Sequence, residues 1–261
     1  MINDFAIVVS SCDAFSDLWD QHFSHLFKNW SGDLPSIYLV TDKPTTFSTF
    51  GVNIMVFDGE MPLRIKKACE LIKEKYILLT LDDYFLVKPT HEDFFSFFIG
   101  KMINSNIDYL SIYDRWKTKR YKEEKISQIN RVDLDKKYAV TLYPAIWNKV
   151  FFEKCVSQND DPWHFEPRLT KNAKLLNANC FYNTSGVFII LDVVRKGCVL
   201  RKANRYFKKN GISIGNRQII KRRTELFLWS QDFVQHHFPR TISRFVKKIA
   251  KLFGKRFYSD D

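Results

Sequence analysis

Three carboxylates stand where the residues around them could put them to chemical use: the adjacent pair Asp82 and Asp83, and the later Glu166. The pair closes the apolar stretch YILLTLDDYFLV, residues 76–87. Side chains alternate faces along a strand, so two neighbouring aspartates cannot continue a strand that is buried on both sides. The strand is expected to stop there, with its tip in a cleft. Paired carboxylates at such a tip suit a hard divalent cation, Mg2+ or Mn2+, which takes one or two protein carboxylates and completes its shell with substrate phosphates. A cation held there would neutralise charge developing on a diphosphate leaving group. A turn or a helix cap would use the same dipeptide. Glu166 lies in SQNDDPWHFEPR, residues 157–168, whose two prolines read as a loop. A carboxylate beside Trp163 and Phe165 can have its pKa raised towards the working range of a general base. A surface acid at a helix start would look the same, and Asp160 and Asp161 are its nearest substitutes. Tyr143, Trp147 and Trp163 are of a type that lines sugar subsites, although core packing accounts for them equally.

These groups need a scaffold, and the first half of the chain supplies an alternating one. FAIVVS (5–10), SIYLVTD (36–42), VNIMVF (52–57) and YILLTLDD (76–83) read as strands. Between them lie a helix from about Ser16, with Trp19, Phe23, Leu26, Phe27 and Trp30 at three- and four-residue steps, and a second one over MPLRIKKACELIKEKY. Pro62 suits the first turn of the second. Strands separated by helices imply a largely parallel sheet covered on both faces. Ligands then bind beyond the carboxyl ends of the strands. Three such ends are polar, at Ser10–Asp13, Thr41–Lys43 and Asp82–Asp83, and they are expected side by side. Further on, THEDFFSFFIGKMI reads as a helix capped by Thr90 and Asp93, IDYLSIYD, YAVTLYPAIW and GVFIIL as strands, and NKVFFEKCV as a short helix.

The 261 residues, 45% of them hydrophobic and 16% aromatic, are ample for one large core or for one core with a substantial appendage. The formal net charge of +12 calls for an anionic partner. Much of it comes late, since Arg195–Arg223 holds eleven Lys or Arg and no acid. Beyond that, FPRTISRFVKKIAKLFGKRF patterns as a basic amphipathic helix over about 240–257, fit to lie on an acidic bilayer. The chain shows no RNP, KH or zinc-finger pattern, so nucleic acid is not the expected partner. Five scattered cysteines without zinc spacing fit a reducing compartment, and the sequons at Asn29 and Asn183 read as chance matches. The N-terminal stretch MINDFAIVVSSCD lacks the basic start of a signal peptide, and no apolar run is long enough to span a bilayer.

The order FAIVVSSCD, IYLVTD, LRIKKACELI, YILLTLDDYFL and then PWHFE resembles bacterial GT-A glycosyltransferases that build O-antigen, capsule or other surface polysaccharides. The resemblance covers roughly residues 1–195. It implies a GT-A-like α/β fold, a Rossmann-type mixed sheet flanked by helices, with residues 196–261 as a basic helical C-terminal extension. It also implies transfer of a hexose or related sugar from a nucleotide-diphosphate sugar to a hydroxyl of a lipid-linked glycan, at the cytoplasmic face of the membrane. LDDYFL resembles that fold's DXD element, so Asp83 with Asp82 would hold Mn2+ or Mg2+. The third position is Tyr84 rather than an acid, which leaves open which aspartate touches the metal. By the same resemblance Ser10, Ser11, Cys12 and Asp42 would hold base and ribose, Arg64 and Lys67 would approach the diphosphate, and Glu166 would be the base of an inverting transfer. A solvated helix face accounts for Arg64 and Lys67 as well. Two rival classes stay in play. A nucleotidyltransferase would present a Gly-rich loop after the first strand, and VVSSCDAF has no glycine. A non-enzymatic membrane or RNA adaptor would need neither Asp83 nor Glu166.

Overall fold

The computed structural model describes residues 4–49, 51–114, 125–156, 162–213 and 215–228, with the backbone alone at Asp114, Pro162, Trp163 and His164. The expected amphipathic helix at 240–257, and Asp160 and Asp161, lie outside the described residues. The chain divides into two compact units, Met1–Asp192 and Val193–Asp261.

The first unit is α/β. Strand β1 (Phe5–Ser10) leads through a 3-10 turn (Asp13–Leu18) into α1 (Trp19–Asn29) and the two-residue β2 (Trp30–Ser31). Strands β3 (Ser36–Thr41) and β4 (Val52–Val56), helix α2 (Met61–Leu71) and β5 (Tyr76–Leu81) follow. Next come β6 (Tyr84–Leu86), β7 (Thr90–His91), α3 (Glu92–Asn104), β8 (Tyr109–Ser111), β9 (Tyr113–Asp114), β10 (Ile129–Arg131), β11 (Ala145–Asn148) and α4 (Lys149–Cys155). The unit closes with α5 (Pro162–Leu175), β12 (Cys180–Asn183) and β13 (Phe188–Asp192).

An eight-stranded mixed sheet, in the order β10-β12-β8-β11-β5-β1-β3-β4, forms its centre. The β5-β1-β3-β4 half is parallel throughout, whereas β11 enters antiparallel to both β5 and β8. Alternation along β1 divides the core in two. Phe5, Ile7 and Val9 pack with α1 and α3 residues such as Phe23 and Phe98, while Ala6 and Val8 pack on the other face with Ile65, Cys69 and Phe152. The near-continuous hydrophobicity of β1 and β5 follows, because both faces are covered.

Several local expectations fail for identifiable reasons. The 157–168 stretch is not all loop, since residues 162–168 belong to α5. Pro162 occupies the first helical position, where its missing N–H is harmless, and Pro167 costs the helix one internal hydrogen bond. Helix α3 is capped by His91, whose Nδ1 accepts from the Asp93 N–H, while Thr90 lies in β7 beside Trp30. Trp30 itself belongs to β2 rather than to α1, and of YAVTLYPAIW only the last three residues, Ala145, Ile146 and Trp147, are strand, within β11.

In the second unit, β14 (Val194–Arg195) and β15 (Cys198–Val199) form a hairpin. Its two turn residues, Lys196 and Gly197, both have positive φ (53° and 73°), which suits the right-handed twist of the flanking strands. Helix α6 (Arg201–Lys209) and helical residues 222–228 complete what is described. No helix among the described residues is long and apolar enough to cross a membrane. All five cysteines are free.

Candidate active site

The parallel half of the sheet fixes where its polar tips meet. Ser10 is in register with Val40 on one side and Leu81 on the other, so the chain leaves β1, β3 and β5 at one level. Beyond them opens a cleft of about 910 Å³, a size that takes a small-molecule ligand. Its walls include Ser10, Ser11, Cys12, Asp42, Arg64, Asp82, Asp83, Tyr143 and Glu166, nine of the residues singled out in the sequence.

Strand β5 ends at Leu81, and Asp82 and Asp83 form the turn into β6. Asp82 is only 5% exposed, and a chain of polar contacts fixes it. The Ser11 hydroxyl donates to its carboxylate, and Trp19 Nε1 donates to Ser11 Oγ at 2.6 Å. From behind, His22 Nδ1 donates to the Asp82 carbonyl oxygen at 3.0 Å. Burial lowers the His22 pKa to about 4, so the ring is neutral at pH 7, and its buried Nε2 has no hydrogen-bond partner among the described residues. Asp83, half-buried, also lines the cleft.

Arg64 lines the cleft from α2. Its guanidinium is buried and donates to the Gly59 carbonyl at 2.6 Å and to the Ser11 carbonyl at 3.0 Å, tying the loops after β4 and β1 together. Gly59 has φ +107°, and a Cβ there would stand 3.1 Å from Leu63, so this turn needs glycine. Lys67 is not a wall of the cleft, because its Nζ donates to the Asp58 carbonyl at 3.1 Å. Asp42 accepts from the Asp13 N–H at 2.7 Å. Burial by itself would raise its pKa, but that hydrogen bond, its own N–H, Arg64 and Lys43 together hold it below the usual carboxylate range. Cys12 is pushed the other way, by burial first and then by the charges of Asp82 and Asp42, so it stays a thiol.

Across the cleft, Glu166 stands in the second turn of α5 with Oε1 accepting from the Leu142 N–H at 3.4 Å. Burial, and after it the Glu166 charge, raises the pKa of the Tyr138 phenol. Tyr143 lies between two other rings, stacked on Tyr84 at 5.0 Å and on Tyr113 at 4.7 Å between centroids. Trp147 corrects the sequence reading. It is fully buried on β11 against Tyr109, Phe151 and Phe152, and cannot line an acceptor site. The Trp163 side chain lies outside the described residues.

The sequence reading passed over the wall made by Asp58, Gly59 and Glu60. These follow β4, the remaining parallel strand, so the strand-end rule that singled out the other three tips would have found them. Lys43, at the polar end of β3, and Tyr84, directly after the acidic pair, also line the cleft. His22 carried a signal, since it shares the buried face of α1 with Trp19 and Leu26.

Six carboxylates (Asp42, Asp58, Glu60, Asp82, Asp83, Glu166) and two cationic side chains (Lys43, Arg64) line the cleft. Arg64 is bonded to backbone carbonyls, and Lys43 pairs with Asp13 at 3.1 Å. Carboxylates therefore outnumber cationic side chains in the lining of the cleft. No group of three or more His, Cys, Asp or Glu able to hold a metal occurs among the described residues. The residues fit a divalent ion held by Asp83, with Asp82 behind it, and by oxygens that the substrate brings.

No protein-family model matches the chain, and no curated protein matches it in sequence. Among solved structures, Staphylococcus aureus TarS aligns with TM-score 0.49 and 14% identity over 71% of this chain and 36% of that one. TarS residues 1–349 in complex with UDP-GlcNAc give 0.48 and 14% over 74% of this chain and 59% of that one. A mycobacterial protein gives 0.46 and 10% over 82% and 76%. The chain thus spans 36% to 59% of the length of these TarS chains.

Proposed function

We propose that the cleft binds a nucleotide-diphosphate sugar and transfers the sugar to an acceptor hydroxyl. The observation that carries this reading is that the Asp82–Asp83 turn, the polar ends of β1 and β3, and Glu166 on α5 all line one cleft at the carboxyl ends of parallel strands. Support for a cation, Mn2+ or Mg2+, comes from the excess of carboxylates, since a diphosphate would otherwise be repelled. Bound beside Asp83, it would act as a Lewis acid on the departing diphosphate.

The protein's own groups then have definable tasks. Ser11, through its hydroxyl to Asp82, holds the turn that presents Asp83. The Ser10–Cys12 loop and Asp42 form the wall against which base and ribose would lie. Tyr143, backed by Tyr84 and Tyr113, offers an aromatic face to a sugar. Glu166 takes the proton from the acceptor hydroxyl as its oxygen forms the new bond to the anomeric carbon and the old bond to the diphosphate breaks. One displacement of this kind inverts the anomeric centre. A lipid-linked glycan, in surface polysaccharide synthesis at the cytoplasmic membrane face, is the acceptor class we favour. Its support is the basic composition of residues 195–223 and the amphipathic pattern of 240–257.

The test is a radiolabelled transfer assay against a panel of nucleotide-diphosphate sugars and polyprenyl-diphosphate-linked acceptors. Wild type should transfer one of them, and Asp83→Ala should lose about 100-fold or more with its circular dichroism unchanged. Activity that survives Asp83→Ala would remove the metal-diphosphate role and the proposal with it.

A further inference from the structure

The second unit carries a cavity that the sugar-transfer reading does not use. It measures about 580 Å³ and is lined by Arg201, Asn204, Arg205, Lys208, Ile219, Arg222, Glu225 and Leu226. The four cations have a simple origin. Arg201, Arg205 and Lys208 recur at steps of four and three, so they share one face of α6, while Ala203 and Phe207 bury the opposite face. Arg222 faces them from the helical residues 222–228.

The two walls are tied together before any ligand arrives. Val199 N–H donates to the Gln218 carbonyl at 2.8 Å, and Ile220 N–H donates to the Val199 carbonyl at 2.9 Å. Glu225, the cavity's single acid, accepts from the backbone N–H of Arg201 at 3.2 Å and so caps the start of α6. Among the described residues no carboxylate forms an ion pair with Arg201, Arg205, Lys208 or Arg222. Four cations converge on a concave surface, and the one acid present is engaged in holding the wall. Folding gathers like charges at a cost, which an anion of matching size would offset.

We propose that this cavity is a phosphate-binding site, taking the phosphate group of a phosphorylated ligand in bidentate contacts from Arg205 and Arg222, with Arg201 and Lys208 beside them and Asn204 as a neutral donor. Planar guanidinium groups suit tetrahedral oxyanions. Exposed Ile219 and Leu226 at the rim would accept an apolar portion of the ligand. Because the phosphate is either that of a soluble ester or that of a lipid headgroup, the chemistry is shared and the source is separable by experiment. The site stands or falls independently of the cleft in the first unit.

The experiment uses the full chain and two double variants that remove equal charge. Arg205→Ala/Arg222→Ala alters the cavity, whereas Lys209→Ala/Lys221→Ala alters exposed α6 and loop lysines that do not line it. Affinity is measured for inorganic pyrophosphate by titration calorimetry and for phosphatidylglycerol vesicles by co-sedimentation, with phosphatidylcholine vesicles as the neutral blank. The cavity variant should bind at least one probe about tenfold more weakly than wild type, and the lysine variant should lose less than about twofold. A loss confined to pyrophosphate assigns a soluble phosphorylated ligand, and a loss confined to vesicles assigns a lipid headgroup. Equal losses in the two variants, or no loss in the cavity variant, would overturn the proposal by showing that only diffuse positive charge is at work. Unchanged thermal unfolding midpoints, expected for side chains as exposed as these, confirm that the comparison is between folded proteins.

Discussion

At the scale of single residues, Asp82 and Asp83 both line the cleft and divide by how they are held. Asp82 is anchored through Ser11, Trp19 and His22, and Asp83 lines the open cleft beside it. The division predicts different phenotypes. Ser11→Ala removes an acceptor from Trp19 Nε1 and a donor from the Asp82 carboxylate, and should lower stability by about 1–3 kcal/mol in chemical denaturation. Glu166→Gln keeps the contact geometry with Leu142 and removes the carboxylate proposed as the base, so it should cut turnover by about 100-fold with little change in donor affinity. Near-normal turnover would reassign that role. Cys12 shows the limit of reasoning from residue type. It stands in the cleft, yet burial and two carboxylates keep it a thiol, so mild alkylation at neutral pH should be slow.

At the scale of elements, the carboxyl ends of β1, β3 and β5 were legible because strands buried on both faces announce themselves as continuous apolar runs that stop at polar residues. Element α5 was not, since its prolines mimic a loop and the cost of one lost internal hydrogen bond is invisible without knowing what the helix packs against. Phe165 and Leu169 supply that packing, being fully buried in the core that also holds Phe152. Trp147 fails for the opposite reason. An aromatic residue near a site has the same type whether it faces a ligand or the core, and only the register of β11 against β5 and β8 places it inside. Trp147→Ala should therefore cost about 3–5 kcal/mol of stability while leaving the acceptor KM of the folded fraction unchanged. Helix α1 gives a pH prediction. The His22 pKa falls from 6.5 to about 4 on folding, so the unfolded chain binds the extra proton between those values. Stability is full above about pH 6.5 and should decline by roughly 3 kcal/mol as pH falls to 4, a slope that His22→Gln should flatten in urea titrations.

At the scale of the whole molecule, a strongly basic chain contains an acidic cleft. The net charge of +12 pointed to an anionic partner, and the sequence offered no way to see that six carboxylates would converge around one cleft. The two facts are reconciled if the diphosphate enters with a divalent cation, while the basic segments of residues 193–261 address other anions. Metal-dependent donor binding is the central claim. It is tested most directly by following thermal unfolding of wild type and Asp83→Ala with nucleotide-diphosphate sugars at about 100 times their Kd, with and without Mn2+. The account predicts that one donor raises the wild-type midpoint by about 5 °C or more only when Mn2+ is present, and that Asp83→Ala loses this rise. An equal rise without metal, or one that Asp83→Ala retains, would contradict it.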